Sequence, residues 1–269
     1  MQPLSDFPKD TLKNIRFILT DIDDTLTENG RLPAKSYQAL ERLKQAGLKV
    51  IPITGRPAGW CDQIARLWPV DGVVGENGAF YFIYNSTLRK MRQRYWKNEN
   101  ERAADRKELE QLRKIILDEV EGSSVASDQA FREADLAIDF CEDIPALSQS
   151  AIDKIVNIFE QAGAIAKVSS IHVNGWFGNY DKLSMTRILF AECFQTDMDL
   201  AQDQIVFCGD SPNDEPMFGF FENSVGVANV LDFVDTMEQQ PCWITKNRTA
   251  SGFVELSEVI LNARSATSI

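Results

Sequence analysis

Four separated segments of the chain carry side chains suited to phosphate chemistry. They read DIDDTLT (21–27), ITGR (53–56), DKLS (181–184) and GDSPND (209–214). Among their side chains, the candidates for this chemistry are four carboxylates, one hydroxyl and one ammonium group, on Asp21, Asp23, Asp210, Asp214, Thr54 and Lys182. If the segments meet, so much negative charge needs a cation, and oxygen ligands beside a phosphate suit octahedral Mg²⁺ better than zinc. The residue types therefore predict a carboxylate site that binds Mg²⁺.

The elements around these segments predict that they meet. The run 16–20 (RFILT) is typical of a buried strand and ends at Asp21, and 33–46 has the apolar spacing of a helix. A second strand over 48–53 then ends at Thr54. A strand, helix, strand unit crosses over with a right-handed turn and brings both strands' carboxyl ends to one edge of a parallel sheet, where ligands bind in such folds. We expect Asp21 and Thr54 to be neighbours, with the 209–214 loop beside them and Lys182 joining from a helix N-terminus.

The alternation of strands and helices is interrupted once. A helix over 59–67, a strand over 72–74 and a hairpin over 75–84 continue it, and a helix over 182–194 with strands over 204–208 and 224–228 resumes it. Between them the pattern predicts helices over 102–119 and 148–162 and strands over 135–140 and 164–173. We therefore predict an α/β protein with a discontinuous Rossmann-like parallel-sheet core (1–85 and 181–269) and an inserted α+β cap domain (86–180).

Composition excludes several classes of function. The chain has 269 residues, 44% of them hydrophobic, and a formal charge of −12, which disfavours binding to nucleic acid or to anionic membrane surfaces. No apolar run approaches the ~20 residues that span a bilayer, and no secretion signal is recognisable, so we expect a cytoplasmic protein. The five cysteines form no CxxC pair and His172 is the only histidine, which leaves carboxylates as the expected catalytic groups.

The four segments resemble, in order, the signature motifs of the haloacid dehalogenase (HAD) superfamily of aspartate-nucleophile phosphohydrolases. Asp21, Asp23 and Thr25 match DxDx[TV], Thr54 the second motif, Lys182 the third, and residues 209–214 the GDxxND form of the fourth. The long insert resembles a C2-type cap. GENGA (75–79) together with GDSPND resembles subfamily IIB, which contains sugar-phosphate phosphatases.

The resemblance, together with the charges, gives each residue a role. Asp21 would be the nucleophile that forms an aspartyl-phosphate, and Asp23 the general acid and base. The phosphoryl oxygens would be bound by Thr54, Gly55, Lys182 and Asn213, the last of which also orients its loop. The resemblance implies a Mg²⁺ ion held by Asp21, the main-chain carbonyl of Asp23, Asp210 and Asp214.

Other residues are weaker candidates for substrate contact. Arg56 and Asn77 stand close in sequence to the predicted crevice, and His172 lies where the insert returns to the core. The basic run 89–94 (RKMRQR) either meets an anionic substrate end or is a solvated face.

We expect a Mg²⁺-dependent phosphomonoester hydrolase acting on a small phosphorylated metabolite, a sugar phosphate or a phosphorylated glycoside. The alternatives are a phosphomutase of the same fold and a catalytically inactive binding or regulatory protein. The sequence leaves the oligomeric state open.

Overall fold

The centre of the fold is a parallel sheet in the computed structural model, which describes residues 1–169 and 171–265 and has six strands in this sheet. In spatial order they are β1 (Gln2–Pro3), β13 (Trp243–Ile244), β12 (Ser224–Gly226), β11 (Ile205–Gly209), β2 (Phe17–Thr20) and β3 (Lys49–Pro52). All four residues of β2 are buried, as expected for a strand covered on both faces. Thr20 is paired with Pro52 on one side and Cys208 on the other, so β2, β3 and β11 end at the same level.

Helices cover both faces of this sheet. On one face lie α1 (Lys9–Asn14), α2 (Ala34–Gln45), α3 (Ala58–Leu67) and α8 (Thr249–Ser265), and on the other α6 (Lys182–Leu189) and α7 (Glu215–Phe220). One turn of π-helix, Phe190–Phe194, extends α6. Leu40 and Phe253 are fully buried on the first face, and Met185 and Phe207 on the second. The expected core of two helical layers around a parallel sheet is therefore present.

A three-stranded antiparallel sheet, made of two consecutive hairpins, extends the edge of the parallel sheet next to β3. It is built from β4 (Val73–Gly75), β5 (Phe80–Asn85) and β6 (Lys90–Tyr95), and a bridge between Ile53 and Val74 joins it to the core. The predicted hairpin over 75–84 thus exists, with β6 as its outer partner. The predicted boundary between residues 85 and 86 falls inside this antiparallel sheet, and the exact division into domains stays a prediction.

The insert has its own sheet and core. Its antiparallel strands lie in the order β7 (Ser124–Val125), β8 (Leu136–Asp139), β10 (His172–Trp176) and β9 (Ile165–Val168), and α4 (Glu99–Glu119) and α5 (Gln149–Gln161) cover one face. Ile116, Ile138 and Phe159 pack between the sheet and these helices. The predicted α/β fold with an inserted α+β unit is confirmed.

One predicted element of the insert is wrong. The single strand expected over 164–173 is two antiparallel strands, β9 and β10, with Val168 paired to Val173. Ser169 closes the connection: its amide donates to the His172 carbonyl at 2.8 Å, and its hydroxyl accepts from the His172 amide at 3.0 Å. Apolar alternation runs through the reversal, so periodicity alone did not reveal a turn made by a serine side chain. Residue 170 lies outside the described residues.

Strand β10 places alternate side chains on opposite faces. A Cβ built on Gly175 would lie 2.2 Å from the Phe159 ring, so this position packs tightly against α5. His172, Asn174 and Trp176 occupy the other face, and Trp176 belongs to the apolar cluster of the core. The second face of the insert sheet is therefore the one turned toward the parallel sheet. Among the described residues no helix is both long and apolar enough to cross a bilayer.

Candidate active site

Three buried carboxylates meet at the carboxyl ends of β2 and β11. Oxygens of Asp21, Asp210 and Asp214 all lie within 4.8 Å of one another. Asp21 follows β2, Asp210 follows β11, and Asp214 ends a short turn that leads into α7. Gly209 allows this approach, because a Cβ there would lie 2.3 Å from Oδ2 of Asp214. The amide of Asp210 also donates to that oxygen, at 3.1 Å. Three of the four acidic residues predicted to converge therefore form one cluster, and the fourth, Asp23, is not part of it.

Lys182 joins the carboxylates from the N-terminus of α6. Its Nζ lies 2.7 Å from Oδ1 of Asp21 and 2.7 Å from Oδ1 of Asp214, and all three side chains are almost fully buried. Asp181 caps the helix by accepting from the Ser184 amide at 2.7 Å, which fixes where the lysine enters the site. Burial opposes the charge of Lys182, but the two carboxylates raise its pKa above its ordinary value. The lysine is therefore a permanent cation of the site.

The carboxylates carry more negative charge than this lysine balances. Burial, and secondarily the charges of Asp214 and Asp23, raise the pKa of Asp21 to about 8, although Lys182 opposes the change. Burial and the charge of Asp21 also raise the pKa of Asp210 well above its ordinary value. A divalent cation among the oxygens would remove this repulsion, and hard oxygen ligands are what Mg²⁺ prefers. The donor set therefore fits Mg²⁺.

Two side chains that the sequence reasoning had given no role hold Asp210. The Thr25 hydroxyl donates to Oδ1 of Asp210 at 2.9 Å, and Nδ2 of Asn229 donates to Oδ2 at 3.1 Å. Asn229 also donates to the carbonyl of Asp24 at 3.1 Å, so it ties the first and fourth motifs together. The signal for Asn229 was available, because it stands just after β12, the neighbour of β11 in the sheet.

Asp23 lies at the entrance of the site, bound to an arginine. Nε of Arg56 lies 3.0 Å from each carboxylate oxygen of Asp23. The same guanidinium approaches two carboxylates of the insert, Asp128 at 3.6 Å and Glu142 at 3.5 Å. Nε2 of His172 lies 2.8 Å from the other oxygen of Glu142. Arg56 and His172, both expected near the substrate, are therefore linked across the core and the insert.

Thr54 and Gly55 form the loop beside Asp21 and Arg56. The Thr54 hydroxyl oxygen accepts a hydrogen bond from the Arg56 amide at 3.0 Å. A Cβ on Gly55 would lie 3.2 Å from the side chain of Asn77, so Asn77 packs directly against the backbone of this loop. The carbonyl of Gly55 accepts from Nη1 of Arg132, an insert residue, at 2.9 Å. No motif or periodicity in the sequence indicates a role for Arg132.

A cavity of about 20 Å³ lies between the core and the insert. Of the predicted site residues it is lined by Asp21, Asp23, Gly55, Arg56, His172 and Asn213. The other predicted residues, Thr54, Asn77, Lys182, Asp210 and Asp214, lie behind this wall. Arg132, Ser169, Ile171, Asn174 and Ser211 also line it and were not predicted. A space of this size holds about one water molecule, so the insert covers the carboxylates closely.

The basic run 89–94 lies elsewhere. It forms β6, the outer strand of the hairpin, where Arg92 and Arg94 pair with Glu192 on the core. Among the residues that the structure describes, none of this run lines the cavity. The structure therefore favours the alternative interpretation of this run as a solvated face, in which Arg92 and Arg94 form ion pairs.

Comparison with known proteins supports the same grouping. The sequence profile of the haloacid dehalogenase-like hydrolases matches residues 18–171. None of the curated protein sequences compared with the chain matches it.

Solved structures with low sequence identity share the fold. A Thermoplasma acidophilum protein is 18% identical, with a TM-score of 0.70 over 92% of this chain and 98% of that one. The sucrose-phosphatase of Synechocystis, solved with sucrose and phosphate, is 16% identical, with a TM-score of 0.61 over 92% and 98%. A sugar phosphatase of HAD subclass IIB is 12% identical, with a TM-score of 0.61 over 90% and 98%.

These matches extend over nearly the whole chain, so they include the insert as well as the parallel-sheet core. The profile match covers more than half of the sequence and contains the Asp21 and Thr54 segments. The chain therefore belongs to the haloacid dehalogenase-like hydrolases, with the core and cap arrangement found in a subclass IIB structure.

Proposed function

We propose that the protein is a Mg²⁺-dependent phosphomonoester hydrolase that works through an aspartyl-phosphate on Asp21. The observation that carries the proposal is the placement of the Asp21 carboxylate, 2.7 Å from Lys182 and within 4.8 Å of the Asp210 and Asp214 oxygens. This arrangement supports a nucleophilic role for Asp21, because phosphoryl transfer needs the nucleophile to lie beside groups that can balance negative charge.

Mg²⁺ would be held by Asp21, the main-chain carbonyl of Asp23, Asp210 and Asp214. Its contribution would be positive charge that lets an anionic carboxylate approach an anionic phosphoryl group. Thr25 and Asn229 keep the Asp210 oxygens oriented for this role. The chain's own residues carry out the remaining steps.

In the first step an oxygen of Asp21 attacks phosphorus and the bond to the leaving oxygen breaks. Asp23 gives its proton to that leaving oxygen. Lys182, the Thr54 hydroxyl and the Gly55 amide stabilise the negative charge on the other phosphoryl oxygens. In the second step Asp23 takes a proton from water, which attacks phosphorus and releases inorganic phosphate and free Asp21. Splitting hydrolysis in this way replaces one difficult displacement by two easier ones.

The insert must move for this cycle to run. A cavity of about 20 Å³ does not hold a phosphorylated metabolite, and Arg56 occupies both oxygens of Asp23. Substrate entry therefore requires the insert to open and Arg56 to release Asp23. Closure over the bound substrate would then exclude water during the first transfer.

For the substrate we propose a sugar phosphate or a phosphorylated glycoside. Two structural neighbours are described as a sucrose-phosphatase and a sugar phosphatase. The wall supplied by the insert includes Ser169, His172 and Asn174, polar groups able to hydrogen-bond hydroxyls of a leaving group.

The test is turnover of p-nitrophenyl phosphate by the purified protein and by Asp21→Asn, with Mg²⁺ and with EDTA. We expect Mg²⁺-dependent release of phosphate by the wild type and none by the variant, whose far-UV circular dichroism should be unchanged. Quenched reactions with labelled phosphate ester should leave label on Asp21. Activity in Asp21→Asn would refute the nucleophile. Conversion of a hexose phosphate to its isomer without phosphate release would indicate a phosphomutase. Silence of the wild type over a broad panel of phosphate esters would indicate a binding protein.

A further inference from the structure

The turn Glu76–Gly78 has an unusual backbone. Its three residues have φ values of 42°, 53° and 107°, so Glu76 and Asn77 adopt the left-handed region that side-chain-bearing residues rarely occupy. Such strain persists only where surrounding contacts hold it, and it concentrates at functional positions. All three residues are buried. The turn contacts three different parts of the site, one through each residue.

Gly78 and Asn77 face the core. A Cβ on Gly78 would lie 2.0 Å from the carbonyl oxygen of Asp181, so the turn packs against the backbone that introduces Lys182. The side chain of Asn77 packs against Gly55, and the main-chain amide of Asn77 donates to the Thr54 carbonyl at 3.1 Å. The turn therefore fixes the positions of both the phosphate-binding loop and the start of α6.

Glu76 faces the insert. Its carboxylate is fully buried and accepts from the amides of Glu133 at 2.9 Å, Ala134 at 2.6 Å and Asp135 at 3.3 Å. It also accepts from the amide of Ala58, which opens α3 in the core, at 2.9 Å. A single side chain of the core thus accepts hydrogen bonds from three successive backbone amides of the insert.

The residue before these amides makes a second attachment. Nη1 of Arg132 donates to the Gly55 carbonyl, and its guanidinium is held in the insert by Asp128 and Asp135, each at 3.0 Å. The Gly55 carbonyl belongs to the same peptide group as the Arg56 amide, which donates to the Thr54 hydroxyl oxygen. With that oxygen acting as acceptor, the hydroxyl hydrogen is left for a phosphoryl oxygen. The packing of residues 132–135 against the core is thus linked to the Thr54 hydroxyl through one peptide group, the one between Gly55 and Arg56.

We propose that Glu76 is a positioning residue that fixes insert residues 132–135 relative to the loop 54–56. The site that binds the phosphoryl group is then complete only when the insert is packed against the core. The inference rests on the proposed function, because the ligand it concerns is the phosphoryl group. It adds a role for a residue that contacts neither substrate nor metal.

The experiment has two readouts on the full-length protein. Hydrogen exchange followed by mass spectrometry reports the amides of residues 133–135, and calorimetry with inorganic phosphate in the presence of Mg²⁺ reports the phosphoryl site. For Glu76→Ala we expect exchange of these amides to be at least about tenfold faster and the Kd for phosphate to rise about tenfold, since all four hydrogen bonds are lost. Glu76→Gln keeps one acceptor oxygen and should show smaller changes in both the exchange rate and the Kd. This variant still tests the inference if the alanine variant does not fold.

Arg132→Lys and a matched control complete the design. The lysine retains a positive charge near Asp128 and Asp135 but loses the planar fork, so phosphate binding should weaken while residues 133–135 stay protected by Glu76. The control is Asp71→Asn, which alters a core carboxylate near the start of β3, where it accepts from the Val50 amide at 2.9 Å. It should change neither readout.

Two results overturn the inference alone. Unchanged exchange in the Glu76 variants would show that Glu76 does not hold the insert, and faster exchange with an unchanged Kd for phosphate would make its role merely structural. A wild type that hydrolyses p-nitrophenyl phosphate alongside either result keeps the proposed function. A wild type that neither hydrolyses the ester nor binds phosphate overturns both.

Discussion

Arg56 holds both carboxylate oxygens of Asp23, with Nε at 3.0 Å from each. The carboxylate proposed to move the leaving-group proton is therefore paired with Arg56 while the insert covers the site. Asp128 and Glu142 of the insert approach the same guanidinium, so Arg56 contacts Asp23 on the core and two carboxylates of the insert at once. If Asp23 is the acid and base, a leaving group must displace Arg56 from it before the proton can be transferred.

If Asp23 is the general acid, its loss must depend on the leaving group. Asp23→Asn should reduce kcat/KM, which reports the step in which the leaving oxygen departs, by about 10²- to 10⁴-fold for an alkyl phosphate such as a hexose phosphate. The loss on p-nitrophenyl phosphate should be smaller, because p-nitrophenolate departs without a proton. Steady-state assays on both esters give the comparison. Equal losses on the two esters would show that Asp23 does not protonate the leaving oxygen.

Asn229 should control affinity for Mg²⁺ without touching the ion. Asn229 donates to the Asp210 carboxylate and to the Asp24 carbonyl. In Asn229→Ala both bonds are lost, and of the two side chains that donate to Asp210 only Thr25 is left. Residues that orient metal ligands typically change affinity or activity by about 10- to 100-fold. We expect the Mg²⁺ concentration for half-maximal activity to rise by that factor, with kcat at saturation changing less.

A second buried asparagine provides the control for this variant. Asn223 donates to the carbonyls of Gln202 and Ile205, on the core but away from the carboxylates. Asn223→Ala should lower thermal stability without moving the Mg²⁺ titration. If both variants shift the titration equally, the effect of Asn229 is one of general stability.

Much of the site on the core could be predicted, because the residues with suitable side chains stand at the ends of strands that the fold brings together. Asp21 and Thr54 end neighbouring parallel strands, and once the alternation of strand and helix was recognised their proximity followed. Thr25 matches the first motif, yet only the structure shows that its hydroxyl donates to Asp210. Lys182 stands outside the sheet, and only the motif resemblance singled it out among 28 lysines and arginines.

The insert was less predictable because its site residues carry no periodic signal. Arg132 and Asp135 lie on an irregular segment and before a short strand, and their contacts depend on how the insert packs on the core. The Ser169 turn similarly left no glycine or proline to mark it. Conversely, the basic run 89–94 suggested in sequence a site for an anionic group, but most of it forms β6, the outer strand of its sheet.

Mg²⁺ should stabilise the folded protein, since its proposed ligands are already gathered and buried. At a Mg²⁺ concentration 100 times its Kd, selective binding to the folded state adds about 2.7 kcal/mol to the free energy of unfolding. Thermal unfolding at pH 8 should therefore shift upward with Mg²⁺, and Asp210→Asn should lose this shift. A shift of the same size in the variant would remove Asp210 from the ligand set.

Glu76 should make the stability of the protein depend on pH. Burial, and then the charge of Asp135, raise the pKa of Glu76 from 4.5 to about 8, although Arg132 and the amides of residues 133 and 134 oppose the change. Between these values the folded protein keeps a proton that the unfolded chain releases. The stabilising contribution is therefore fully present below about pH 4.5 and is lost as pH rises toward 8, with a limiting slope of about 1.4 kcal/mol per pH unit.

Glu76→Gln removes this titration while keeping the size of the side chain. Other buried acids also titrate in this range, Asp21 among them, so the informative quantity is the difference between wild type and variant. Urea unfolding at intervals from pH 5 to 8, in EDTA, should show the free energy of unfolding falling with pH in both proteins but less steeply in the variant. Because the variant has no proton to lose at position 76, the two curves should converge as pH rises. Parallel curves would mean that Glu76 is ionised throughout, held so by the backbone amides that it accepts from.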